Sequence, residues 1–149
     1  LIGDTYDDAY EAAQEEMEKS GSVFIHPFDD EAIIAGQGTV GMEILRDAKQ
    51  TIDYIFMGIG GGGLAAGVGS YIKQLSPETK IIGVEPAGAP AMKLSLEKKK
   101  IITLAEIDKF VDGAAVRKVG QIPFNICQEV VEDVILVPEG KVCSTILQL

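Results

Sequence analysis

The sequence predicts an α/β fold built on a doubly wound, mostly parallel sheet with helices on both faces. Two observations carry the prediction. Residues 53–57 (Asp-Tyr-Ile-Phe-Met) and 79–84 (Thr-Lys-Ile-Ile-Gly-Val) are short apolar runs of strand length, and residues 65–75 between them have helical spacing. An intervening helix returns the chain in its original direction, so the two strands form a right-handed βαβ unit of a parallel sheet. A third observation fixes attention on one turn: the first strand runs into Gly58-Ile59-Gly60-Gly61-Gly62-Gly63-Leu64 before the helix begins.

The other elements follow in order. Asp4-Thr5-Tyr6-Asp7-Asp8 is a polar cap with acids in the first turn, and the helix it starts reaches Ser20-Gly21. Residues 22–25 (Ser-Val-Phe-Ile) read as a buried strand that Pro27 ends by withholding a backbone donor. A helix is expected within residues 30–48, broken near Gly36-Gln37-Gly38 because glycine weakens a helix interior. Beyond the βαβ unit, residues 89–97 read as helix and Lys98-Lys99-Lys100 as a solvated basic tip. A loop-rich return follows over 108–116, then a helix over 122–129, a strand over 134–137 and a last helix from Glu139. Tyr54, Phe56 and Met57 are expected in the core, as on a strand covered on both faces.

Composition limits the function classes. With 46% hydrophobic and 24% charged residues the chain is globular, and no run of about 18 apolar residues could cross a bilayer. A formal net charge of −10 repels a polyanion, which argues against a nucleic-acid partner. Cys127 and Cys143 lack a CxxC spacing and read as reduced core thiols of a cytoplasmic protein. Neither end looks natural: the first residues read as the end of a strand and the last stop inside an amphipathic stretch. The chain is therefore expected to be one region, residues 1–149, of a longer polypeptide.

The glycine turn is the candidate site. The first four N–H groups of a helix have no intrahelical acceptor and carry the positive end of the helix dipole, so an anion fits there. Gly60, Gly61, Gly62 and Gly63 remove every Cβ that would keep a phosphate oxygen from the backbone. Four ordered glycines carry a large entropic cost, which a bound ligand explains better than a bare turn. Two anions remain open. Gly58, Gly60 and Gly63 satisfy G-x-G-x-x-G after a strand, and Glu85 at the end of the next strand could take ribose hydroxyls, as in an NAD-binding module. The additional Gly61 and Gly62 suit a single terminal phosphate instead.

Five motifs occur in an order that resembles the threonine dehydratases, also called threonine deaminases. They are His26-Pro27-Phe28-Asp29-Asp30, Gly36-Gln37-Gly38-Thr39, Gly60-Gly61-Gly62-Gly63-Leu64, Gly83-Val84-Glu85-Pro86 and Asp112-Gly113-Ala114-Ala115-Val116, with Asp7-Asp8-Ala9 and Pro138-Glu139-Gly140 as flanking support. The resemblance covers essentially all of the chain. It implies the tryptophan-synthase-β-like fold of the fold-type-II enzymes and a pyridoxal 5'-phosphate cofactor. Gly60, Gly61, Gly62, Gly63 and Leu64 would hold its phosphate, and Gly113 would lie beside its ring. It further implies a homo-oligomer, dimer or tetramer, acting on a small amino acid: threonine, or serine, loses its β-hydroxyl and amino group to give a 2-oxo acid and ammonia. No residue here is assigned a catalytic role, because the lysine that binds the cofactor is expected in a Ser-Phe-Lys-x-Arg-Gly motif and none of these lysines has that setting. A catalytically empty fragment that binds stray anions is the remaining reading.

Plainer readings cover the other reactive residues. His26, the only histidine, is expected at a strand end with a structural hydrogen bond. Glu85 could meet a cation, as the matching position does in serine racemase, but Ala91 stands where a second carboxylate is expected. Asp7-Asp8 and Asp29-Asp30 read as helix-start charges.

Overall fold

A computed structural model describes Ile2, Gly3 and residues 6–149, except for the side chains of Tyr6 and Asp7. The Asp4-Thr5 part of the expected first cap lies outside the described residues. Helix α1 (Tyr6–Ser20) ends at Gly21, whose φ of +71° is the left-handed conformation that closes helices, with its N–H donating to Met17 O at 2.9 Å.

Residues 22–25 are not the buried strand that their apolar run suggests. They pair with no described strand, and Val23 and Ile25 are 89% and 68% exposed. A strand needs a neighbour to take its N–H and C=O groups, and the sheet of this chain lies elsewhere. The segment is pinned by its rings instead: Phe24 meets Tyr10 edge-on at 5.4 Å, and His26 meets Phe28 at 4.6 Å.

Helix α2 (Glu31–Asp47) starts at Asp30, whose carboxylate accepts the N–H groups of Ala32 and Ile33 at 2.8 and 3.0 Å. It runs unbroken through Gly36-Gln37-Gly38, contrary to the expected break. The reason is its partner. A Cβ on Gly38 would stand 3.3 Å from Gly67 O, and one on Gly41 3.3 Å from Val68 O, so the glycines let α2 lie directly on helix α3 (Gly63–Leu75). Burial of that seam outweighs a propensity penalty of about 1 kcal/mol per glycine.

Strands β1 (Tyr54–Gly58), β2 (Lys80–Pro86) and β3 (Val131–Val137) form one parallel sheet in the order β1-β2-β3. The βαβ unit β1-α3-β2 is thus present as expected. The register shifts between Ile81 and Ile82, which pair with Val131 and Asp133 and skip Glu132. Helix α4 (Ala91–Lys98) follows β2, and helix α5 (Gln121–Val130) leads without a loop into β3. Helix α6 (Glu139–Ile146) comes last and buries no residue.

The core forms where α3 and α5 cover one face of the sheet. Ile55, Met57, Ile81 and Val134 meet Val68, Ile72, Phe124 and Cys127 there. On β1 burial alternates, so Met57 is core as expected while Tyr54 and Phe56, 52% and 60% exposed, are not. Adjacent strand residues point to opposite faces, and among the described residues only one face of β1 is covered.

Candidate functional site

Strand β1 is tied to β2 up to the edge of the glycine turn, where Ile59 N–H donates to Val84 O at 2.9 Å and the Ile59 side chain, 1% exposed, lies over Gly83. The chain then reverses through Gly60 and Gly61 into Gly62, which stands at the N-terminus of α3 with φ +98° and ψ −5°. Gly62 C=O accepts the N–H of Ala66 at 2.9 Å. The N–H groups of Gly60, Gly61, Gly62, Gly63 and Leu64 have no acceptor among the described residues. Five unused donors at the positive end of a 13-residue helix suit a multiply charged anion.

Packing behind the turn gives the glycines a further reason that the sequence did not suggest. A Cβ on Gly61 would strike the ring of Phe28, one on Gly63 would stand 3.0 Å from Phe28 Cβ, and one on Gly60 3.3 Å from Ala114 Cα. At Gly62 a Cβ would meet Met92 Cε at 2.7 Å and Pro123 Cβ at 2.8 Å, besides the strain of its positive φ. The Cβ positions are thus filled by the protein packed behind the turn, and the N–H groups remain unpaired. Gly113, expected in the same neighbourhood, is brought there: its carbonyl oxygen lies 3.5 Å from the Cβ position of Gly60, and its N–H donates to Asp112 Oδ1 at 2.8 Å. Leu64 is 37% exposed at the first turn of α3.

Two supports hold the turn from outside. Gly120 N–H donates to Gly61 O at 3.0 Å, joining the turn to the start of α5. Asp29 accepts the N–H groups of Gln121 and Ile122 at 2.9 and 2.8 Å. Of the pair Asp29-Asp30, only Asp30 serves the adjacent helix; Asp29 caps α5, 92 residues away. Sequence reasoning missed this, because local spacing carries no sign of so distant a partner. His26 has the structural role expected of it, although not at a strand end: its Nδ1 accepts the N–H groups of Asp29 at 2.8 Å and Phe28 at 3.3 Å.

Glu85 is 1% exposed, and its carboxylate accepts the N–H of Met92 at 2.7 Å and of Lys93 at 2.9 Å. Burial raises its pKa to about 7, against the lowering effect of these two bonds and of the Lys93 charge. A carboxylate buried as the cap of α4 is not available to ribose hydroxyls, which removes the structural basis of the NAD reading. Burial likewise pushes the Cys127 thiol up to about 12, with the Glu85 charge adding to it. Cys143 is exposed, so of the two expected core thiols only Cys127 is one.

Fold and turn together define an α/β protein that presents a row of N–H groups, unpaired among the described residues, where a parallel strand of its sheet passes into a helix. Residues 1–149 match the family described as pyridoxal-phosphate dependent enzyme. The chain belongs to that family. It is 64% identical over 149 residues to the L-threonine dehydratase biosynthetic IlvA of Halalkalibacterium halodurans, and 52% identical to that of Bacillus subtilis. Both matches take in the whole chain but only 36% and 35% of those proteins, so the chain spans about a third of their length. Among solved structures, the processed form of threonine deaminase isoform 2 from Solanum lycopersicum superposes with a TM-score of 0.87 at 48% identity, covering 93% of this chain and 40% of the other. The family finding decides between the two anions left open by the sequence: the dinucleotide reading has no support.

Proposed function

We propose that the polypeptide containing this chain is a threonine dehydratase, which converts L-threonine to 2-oxobutanoate and ammonia with pyridoxal phosphate. Residues 1–149 form the central part of its catalytic region. The observation that carries the reading is the row of five unpaired N–H groups from Gly60 to Leu64 at the head of α3, in a chain of this family. The relatives named above support the substrate.

In this reading the donors of Gly60, Gly61, Gly62, Gly63 and Leu64 hold the cofactor phosphate. Helix α3 adds its positive end, and the close backing by Phe28, Ala114 and Pro123 keeps the donors in place, so little is spent on ordering them when the anion arrives. Gly113, whose turn packs on Gly60, borders the ring. Once bound, the cofactor supplies an electron sink that acidifies the α-carbon of the amino acid and permits loss of its β-hydroxyl. The residues of this chain anchor and orient it; the lysine that binds it covalently belongs to a motif these residues do not contain. The enzyme acts in the cytoplasm as a homo-oligomer on a free amino acid. No helix among the described residues is long and apolar enough to cross a membrane.

An absorbance scan of the full-length protein tests the proposal. A band near the visible edge should develop with pyridoxal phosphate and shift on addition of threonine. Absence of the band after cofactor addition sinks the proposal, and dinucleotide binding in its place would restore the NAD reading.

A further inference from the structure

We infer that Asp29 is a positioning residue for the phosphate turn, acting through the start of α5 on the direction of a single peptide group, Gly61–Gly62. The inference rests on the assignment of phosphate to that turn. The peptide bond is trans and planar, so its C=O and N–H point in opposite directions. Gly61 C=O accepts the N–H of Gly120 at 3.0 Å, and this bond turns the N–H of Gly62 away from α5, where it meets no acceptor of the described chain. If Gly120 shifted, the peptide could rotate, because glycines on both sides offer little resistance. A carbonyl oxygen would then replace a donor at the anion site.

Asp29 holds Gly120 in place. Its two oxygens accept the N–H groups of Gln121 and Ile122, the residues directly after Gly120, at 2.9 and 2.8 Å. Its carboxyl carbon also stands 2.9 Å from the Cβ position of Gly120, so carboxylate and turn are packed as well as bonded. Asp29 is fixed in turn by His26, whose Nδ1 accepts the Asp29 N–H at 2.8 Å, and by Phe28, which precedes it and fills the space behind Gly61 and Gly63. The segment 26–29 is therefore a brace: Phe28 sets how far back the turn can lie, and Asp29 sets which way its middle peptide faces. Asp30 makes a good control. It also accepts two N–H groups, those of Ala32 and Ile33, but at the start of α2, with no bond to the turn.

The experiment uses the full-length polypeptide freed of cofactor. Affinities for pyridoxal phosphate and for pyridoxal, which lacks the phosphate, are measured by equilibrium dialysis in the wild type, Asp29→Ala, Asp29→Asn and Asp30→Ala. Loss of charge-assisted bonds should weaken pyridoxal phosphate roughly ten- to a hundredfold in Asp29→Ala and leave pyridoxal within about twofold. Asp29→Asn, which keeps an oxygen acceptor, should recover part of the loss, and should carry the test alone if the alanine variant does not fold. The phosphorus-31 resonance of bound cofactor should move in both Asp29 variants and not in Asp30→Ala. Equal losses for the two ligands, no loss, or the same selective loss in Asp30→Ala overturns the inference. A wild type that binds both ligands equally overturns the phosphate assignment itself, and the inference falls with it.

Discussion

The ring of Phe28 occupies the space into which a Cβ on Gly61 would project, so the glycine turn and the 26–29 segment fit one another without room for a side chain. Gly61→Ala should therefore force Phe28 or the turn to move, at an overpacking cost of about 1–3 kcal/mol. A thermal unfolding scan of the full-length protein should show the loss as a lower Tm, and Phe28→Leu in the same background should recover part of it. An unchanged Tm in Gly61→Ala would mean that the turn is not held against the ring.

Glu85 gives the protein a pH dependence of definite sign. Its pKa rises from 4.5 to about 7 on folding, so between those values the folded state binds more protons than the unfolded one. Its contribution to stability is fully present below about pH 4.5 and is lost as pH rises through 7, on the order of 3 kcal/mol. Urea unfolding at pH 5 and pH 8 should show a drop across this window that Glu85→Gln reduces, because glutamine does not titrate and still accepts one of the two N–H groups. Equal pH dependence in the two proteins would exclude Glu85 as its source.

The seam between α2 and α3 depends on Gly67. A Cβ there would strike Ile34 O and stand 2.8 Å from Gly38 N, both backbone atoms that no rotamer change can remove. Gly67→Ala should cost about 3 kcal/mol or more, with the helices forced apart. Gly36, where a Cβ would meet nothing within 4 Å, is the contrast: Gly36→Ala should be neutral or stabilising, by up to about 1 kcal/mol, since alanine is the better helix former. Chemical denaturation of the two variants should order them in that way.

The same pair of helices shows how far local sequence reaches. Glycine propensity predicts a break at Gly36-Gln37-Gly38, yet the helix continues, because the cost at Gly38 and Gly41 is offset by close approach to Gly67 and Val68. Propensity belongs to one helix; the approach belongs to two. Residues 22–25 show the opposite case: their apolar run suggests a strand, but strand formation depends on a neighbour that local composition does not reveal.

The sequence by itself determined the α/β class, the parallel βαβ unit and the place of the glycine turn proposed to hold the phosphate, because hydrophobic periodicity and a run of glycines after a strand are local signals. Only the tertiary structure decided what each participant does. Asp29 caps α5 instead of α2, Glu85 is turned inward to α4, and the four glycines are required by Phe28, Ala114, Met92 and Pro123 behind the turn. The physical reason is common to all three: a carboxylate takes whichever N–H groups the fold brings to it, and a missing Cβ is explained only by the atoms that would have touched it. Those partners lie seven to more than ninety residues away along the chain, at separations over which spacing carries no information.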